Sequence, residues 1–168
     1  MKITSQEEYG LRCVLQLARA EAESGKSLTI PEIAAAEGLS SPYVAKILAV
    51  LRQEGLIESV RGRAGGYRLN GSPADVKLGA VLMALGEPLF DQGEYCQKHA
   101  GTETDGLCVH NDGCSLRDLW QTLESWMREA LDQVTLADLL REDCQVGDLL
   151  RTRLAKLVRE TSRLPMVR

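Results

Sequence analysis

No stretch of this sequence approaches the roughly 18 apolar residues that a membrane-spanning helix needs. The opening residues, MKITSQEEYG, place glutamates where a secretory leader carries its apolar run. A cytoplasmic protein with no membrane partner is the expectation. There is no internal repeat and no low-complexity segment. There is also no CxxC pair, the spacing that closed tetrahedral zinc sites often use. The five cysteines are odd in number, and disulfide frameworks are rare in a reducing compartment. Clustered thiols there point to metal or redox chemistry. A catalytic set is missing too. Cys96, His99, His110 and Asp112 lie near one another in sequence, but no strand-borne scaffold or base-orienting partner accompanies them, so an enzyme is not expected.

What the chain does have is an uneven charge. The net charge is −4 over 168 residues, which alone argues against a nucleic-acid partner. Residues 1–70 nevertheless carry +1, residues 71–148 carry −10, and residues 149–168 carry +5. The segment 41–70 alone is +3, and binding to a polyanion follows the local field at the contact surface.

The positive segment coincides with a recognisable pattern. The stretch TSQEEYGLRCVLQLARA places Leu11, Val14, Leu15 and Ala18 on one helical face, with Thr4 and Glu7, or Ser5 and Glu8, as a capping box. Next comes TIPEIAAAEGLSSPYVAKILAVLRQEGL: Thr29 and Glu32 cap a short helix, Gly38 ends it, and Ser40 or Ser41 caps the next. Val44, Ile47, Leu48 and Leu51 form the buried stripe of that second helix, leaving Tyr43, Lys46, Ala49 and Arg52 outward. Two helices and a tight glycine turn make a helix-turn-helix. LIESVRGRAGGYRL then reads as strands over 56–60 and 67–69 around a basic, glycine-rich tip, and such a hairpin appended to a helix-turn-helix makes a winged helix. In that geometry Ser41, Pro42, Tyr43 and Lys46 approach base edges in the major groove of double-stranded DNA. Arg61, Arg63, Tyr67 and Arg68 hold the backbone or the adjacent minor groove.

Beyond a short apolar helix at 76–85, residues 86–114 lack periodicity, and connections longer than about 12–15 residues in compact domains are functional or disordered. Three cysteines fall inside this one, in CQKHAGTETDGLCVHNDGC: Cys96, Cys108 and Cys114, spaced C-x11-C-x5-C. As residues they leave three readings open: metal ligands, a thiol switch such as Cys108 with Cys114, or ordinary thiols. Cys13 and Cys144 have no partner nearby and read as structural. From Ser115 a helical stripe resumes, through Leu116, Leu119, Trp120, Leu123, Trp126, Met127, Ala130, Leu131 and Val134. A narrow winged-helix core cannot cover so long a face, so the same helix of a second subunit is the expected partner. Thr135 and Asp138 cap a short helix after it, and a basic amphipathic helix covers 148–164, which docks on the acidic middle, touches DNA or stays solvated.

With its RGRAGGYRL wing, long helix and a loop ending in CVHNDGCSLRDLW, the chain resembles the IscR/NsrR-type winged-helix regulators, the Rrf-two family, over nearly its whole length. The resemblance implies a homodimeric transcriptional regulator, expected to be a repressor, sensing redox state, nitric oxide or iron-sulfur status through an iron-sulfur cluster of two or four irons. Its operator would be an imperfect palindrome. Carried over by position, the ligands are Cys96, Cys108 and Cys114, with Glu8 of the partner subunit as the fourth. The first cysteine gap is longer than in members with two gaps of five, and Arg117 stands where some members place a ligating histidine. His110 and His99 are reserve candidates. A site of three thiolates and one carboxylate is labile at its fourth position, which suits a sensor. The alternative is a cluster-free regulator with a thiol switch or zinc in the same loop. The expected fold is mainly α with a small β-hairpin wing: a DNA-binding domain over 1–85, a cluster-binding loop over 86–114, a dimerisation helix and short helix over 115–145, and a basic helix over 146–168.

Overall fold

The computed structural model describes residues 3–62, 65–87, 90, 94–100, 108, 110, 113–141 and 145–161, with side chains of the last helix described as far as 156. Arg63, Asp112 and Cys144 lie outside the described residues, as do the side chains of Leu157 and Val158 and all of Arg163.

Helix α1 (Ser5–Ser24) starts at an extended Thr4, whose hydroxyl accepts from the Glu7 N–H at 3.2 Å while its own N–H donates to the Glu7 carboxylate at 2.7 Å. That box spares Glu8 any capping duty. The buried face of α1 is Cys13, Val14, Leu17 and Ala18, so the expected stripe is turned: Leu11 and Leu15 sit half-buried at its edge. The reason is that α1 is surrounded. It touches α2 (Ile30–Glu37), α3 (Ser41–Gln53), the second wing strand, α4 (Leu78–Leu85) and α7 (Leu136–Leu140), so its burial is set by several neighbours at once. A Cβ at Gly10 would fall 2.5 Å from the Leu85 methyls, which makes glycine the residue that lets α1 and α4 close.

The second capping box, Thr29 with Glu32, starts α2, and Gly38 ends it in the left-handed region at φ 66°. The α2–α3 pair bends by 112°, within the range of a helix-turn-helix. Ser40 occupies the N-cap of α3 without a side-chain bond, and the Tyr43 and Val44 N–H groups reach its carbonyl instead. Val44, Ile47, Leu48 and Leu51 are all buried.

Strands β1 (Ile57–Val60) and β2 (Gly66–Leu69) pair antiparallel, with Ile57 opposite Leu69 and Val60 opposite Gly66. Leu28 adds a bridge to Tyr67, exchanging N–H to O bonds of 2.9 and 2.7 Å. A Cβ at Gly66 would lie 2.5 Å from the Leu28 carbonyl oxygen. The wing is thereby stitched to the segment before α2, and at least one of its glycines is there for packing.

Lys77 and Thr135 form a second isolated bridge, with Leu78 N–H on the Val134 carbonyl at 2.8 Å and Leu136 N–H on the Val76 carbonyl at 3.0 Å. Thr135 and Asp138 complete the box that starts α7. Helix α8 (Val146–Thr161) docks through Arg153, whose guanidinium grips Asp138 at 2.7 and 3.1 Å and also reaches the Gln133 carbonyl.

Contacts divide the chain into two compact units. Residues 2–86 with 130–168 form the winged-helix unit. Residues 87–129 form the other, holding α5 (Tyr95–Lys98) and nearly all of α6 (Ser115–Leu131). In this second unit buried Phe90 meets the Tyr95 ring at 5.0 Å, and Tyr95 meets His99 at 4.5 Å. Among the described residues no single helix is long and apolar enough to cross a membrane.

Candidate functional site

The reading head presents a small polar surface. Ser41, Pro42 and Lys46 are exposed at the start and on the outer face of α3. Tyr43 is half-buried, packed on the core with its ring edge-on to Tyr9 at 6.0 Å and 86°, so it is braced from behind. On the wing, Arg61 is exposed, Tyr67 is half-buried, and Arg68 donates to Glu58 across the strands at 2.6 Å. That exposed pair contributes little stability, about 0–1 kcal/mol, so Arg68 is readily exchanged to another anion.

Behind the head, α1 is fastened to α2. Arg12 donates through Nε to the Glu37 carboxylate at 2.6 Å and through Nη2 to the Glu37 carbonyl at 3.2 Å, and Gln16 donates to the other carboxylate oxygen. The Arg12 guanidinium also lies 5.5 Å from the Tyr9 ring centre. Burial pushes the Glu37 carboxyl up, but the hydrogen bonds from Gln16 and Arg12 outweigh it and hold the group below the ordinary carboxylate range. Next to this network the Cys13 thiol, fully enclosed, is pushed up to about 11 by burial, with the charge of Glu37 adding and that of Arg12 opposing. Cys13 is thus an unreactive packing thiol at neutral pH.

The other cysteines differ. Cys96, Cys108 and Cys114 are free and only half-buried, all within the 87–129 unit. Cys96 sits on α5, and Cys114 immediately precedes α6, where the aligned peptide dipoles favour negative charge. The Arg117 N–H donates to the Cys114 sulfur at 3.4 Å, and the Arg117 side chain donates to the Cys96 sulfur at 3.9 Å. Two of the three candidate sulfurs therefore meet at one residue. Among the described residues no group of three or more His, Cys, Asp or Glu side chains is gathered tightly enough to hold a metal ion. The fit to an iron-sulfur group is thus one of donor chemistry, soft thiol sulfurs beside N–H donors. Glu8 is exposed on the first turn of α1. Of the reserve histidines, His110 is exposed, and His99 has its Nδ1 2.8 Å from the Tyr95 carbonyl. A carbonyl only accepts, so that bond requires a proton on Nδ1.

Sequence reasoning missed four contacts here. Arg117 stood out only as a residue unable to ligate, and its reach to Cys96 has no signature in a one-dimensional pattern. The Arg12–Glu37 and Tyr9–Tyr43 contacts join separate helices, so periodicity is silent on them. The Leu28–Tyr67 bridge joins the wing to a residue that precedes α2 and belongs to no periodic stretch.

The comparisons with known proteins agree with this geometry. The Rrf2 family model, that of iron-dependent transcriptional regulators, matches residues 3–142. The transcriptional regulator NsrR of Geobacillus kaustophilus is 38% identical over 154 residues, which cover 91% of this chain and 99% of the relative. Among solved structures, IscR of T. potens is 31% identical with a TM-score of 0.63, covering 83% of this chain and 86% of that one. CymR, the global cysteine regulator of B. subtilis, is 27% identical with a TM-score of 0.61, covering 83% and 95%. These relatives are transcriptional regulators and not enzymes, and the chain belongs to the Rrf2 family as a DNA-binding regulator of the IscR/NsrR type.

Proposed function

We propose that this regulator, a repressor, acts as a homodimer whose hold on DNA depends on a labile iron-sulfur cluster bound by Cys96, Cys108 and Cys114, with Glu8 of the partner subunit as fourth ligand. The observation that carries this reading is the contrast among the thiols. Cys13 is enclosed and unreactive, whereas Cys96, Cys108 and Cys114 are half-buried and confined to the unit that holds most of α6. When bound, the group supplies a centre that responds to redox state or nitric oxide.

The chain's own residues supply the rest. Leu116, Leu119, Trp120 and Trp126 leave an apolar face of α6 exposed, and a second copy of that face is the complementary surface it needs. Glu8 adjoins Tyr9, which bears on Tyr43 at the start of α3, and Arg12 one turn later holds Glu37 at the end of α2. A pull on Glu8 is therefore felt at both helices of the reading head. Ser41, Pro42, Tyr43 and Lys46 meet base edges, while Arg61, Arg63, Tyr67 and Arg68 hold the backbone or minor groove of an imperfect palindrome. Function then divides along the chain: 1–85 reads DNA, 86–114 holds the cluster, 115–145 carries the dimer helix, and 146–168 anchors through Arg153 on Asp138.

The test is the visible spectrum, with iron and acid-labile sulfide counts, of protein purified without oxygen, for the native chain and Cys108→Ala. Broad visible absorption with iron matched by sulfide, lost in the variant, is the expected result. A colourless native protein after attempted reconstitution overturns the reading. It would favour a thiol switch, to which the contacts of both Cys96 and Cys114 with Arg117 lend support.

A further inference from the structure

We infer that Arg117 is a positioning residue for the cluster ligands, holding Cys96 and Cys114 in register before any iron arrives; this rests on the cluster-binding reading above. Arg117 lies in the first turn of α6, where backbone N–H groups have no partner within the helix. Its N–H is given to the Cys114 sulfur at 3.4 Å, so a candidate ligand serves as a cap for the helix. Its guanidinium, half-buried, reaches back to the Cys96 sulfur at 3.9 Å, across the cysteine-bearing segment. One residue thus ties together the two ends of that segment, and ordering them in advance removes part of the entropic cost of closing the loop on a ligand.

The residue type matters as much as the contact. An arginine cannot ligate iron, but it stays charged and offers several N–H donors in a fixed plane. Thiolate ligands and bridging sulfides give an iron-sulfur group net negative charge. Hydrogen bonds to the sulfurs and a nearby cation both stabilise its reduced state and set its potential. Arg117 supplies both to Cys96. The two contacts also separate cleanly. Substituting the side chain removes the guanidinium from Cys96 and leaves the backbone N–H on Cys114.

The experiment uses the full-length chain with Arg117→Gln, which deletes the charge, and Arg117→Lys, which keeps it without the planar fork. In cluster-free protein, a short bifunctional thiol reagent is applied and the Cys96–Cys114 link is quantified by mass spectrometry against single alkylation of each thiol. The link should fall about fivefold in Arg117→Gln, single alkylation staying constant. In loaded protein, the reduction midpoint of Arg117→Gln should drop by about 59 mV, a tenfold change in a one-electron equilibrium, and Arg117→Lys should recover most of it. An unchanged link in Arg117→Gln overturns the positioning role, as does a midpoint equal to the native one. A link that falls as expected in a protein that never takes up a cluster supports the positioning of the two thiols and overturns the cluster reading, so the two failures are told apart.

Discussion

Helices α3 and α6 both carry a regular apolar stripe, and the chain treats them in opposite ways. In α3, Val44, Ile47, Leu48 and Leu51 are all buried against α1, α2 and the wing. In α6, Leu116, Leu119, Trp120 and Trp126 remain exposed, Trp126 at 63%, and the one buried residue is Glu124, paired with Arg128. Periodicity shows that a face must be covered; it does not show whether the same chain covers it. The winged-helix unit completes its own core, whereas α6 leaves large apolar side chains exposed.

The sharpest way to break this contrast is to make matched truncations on the two stripes. Leu48→Ala empties a fully enclosed site and should cost about 2–5 kcal/mol of folding stability, read by urea denaturation. Trp126→Ala should leave that stability nearly unchanged and weaken self-association roughly thirtyfold, about 2 kcal/mol, read by sedimentation equilibrium. If Trp126→Ala unfolds the chain and leaves association intact, α6 is covered from within.

Asp138 tests how α8 is joined to the self-sufficient unit. It is buried, caps α7 through Thr135 and receives the Arg153 fork. Asp138→Asn should cost about 1–2 kcal/mol. The hydrogen bonds from Arg153, then those from Thr135, hold this carboxyl below its ordinary range. Its contribution is therefore complete above the unfolded value near about 4 and is lost as pH falls through the lower folded value. Denaturation midpoints of native and variant should converge in acid. A constant difference down to pH 2 would count against the pairing.

The smallest effects belong to the DNA surface. Arg61→Ala should weaken binding to every duplex alike, by about threefold to tenfold, and reduce the salt slope by about one. Lys46→Ala should instead change the ranking among duplexes. Uniform losses for both would remove the division between wing and recognition helix.

How much of this was legible beforehand depends on how many neighbours a residue has. The α3 stripe, the capping boxes at Thr4, Thr29 and Thr135, and the wing could be read because each is written in local spacing. The α1 stripe was turned, with Cys13 and Leu17 inside and Leu11 and Leu15 at the edge, because five elements converge on that helix and local apolarity cannot say which sides are covered. The bridge from Leu28 to Tyr67 and the reach of Arg117 to Cys96 are pairings between distant segments. The cysteine spacing identified the thiols as candidates but not which of them come together.

The most direct test of the central claim is the affinity for a duplex selected from a random pool by the cluster-loaded protein, measured at fixed salt before and after removing the cluster with a chelator. The account predicts a loss of at least tenfold on removal, restored by reconstitution. Equal affinity in the two states would contradict it and leave DNA reading uncoupled from the three thiols.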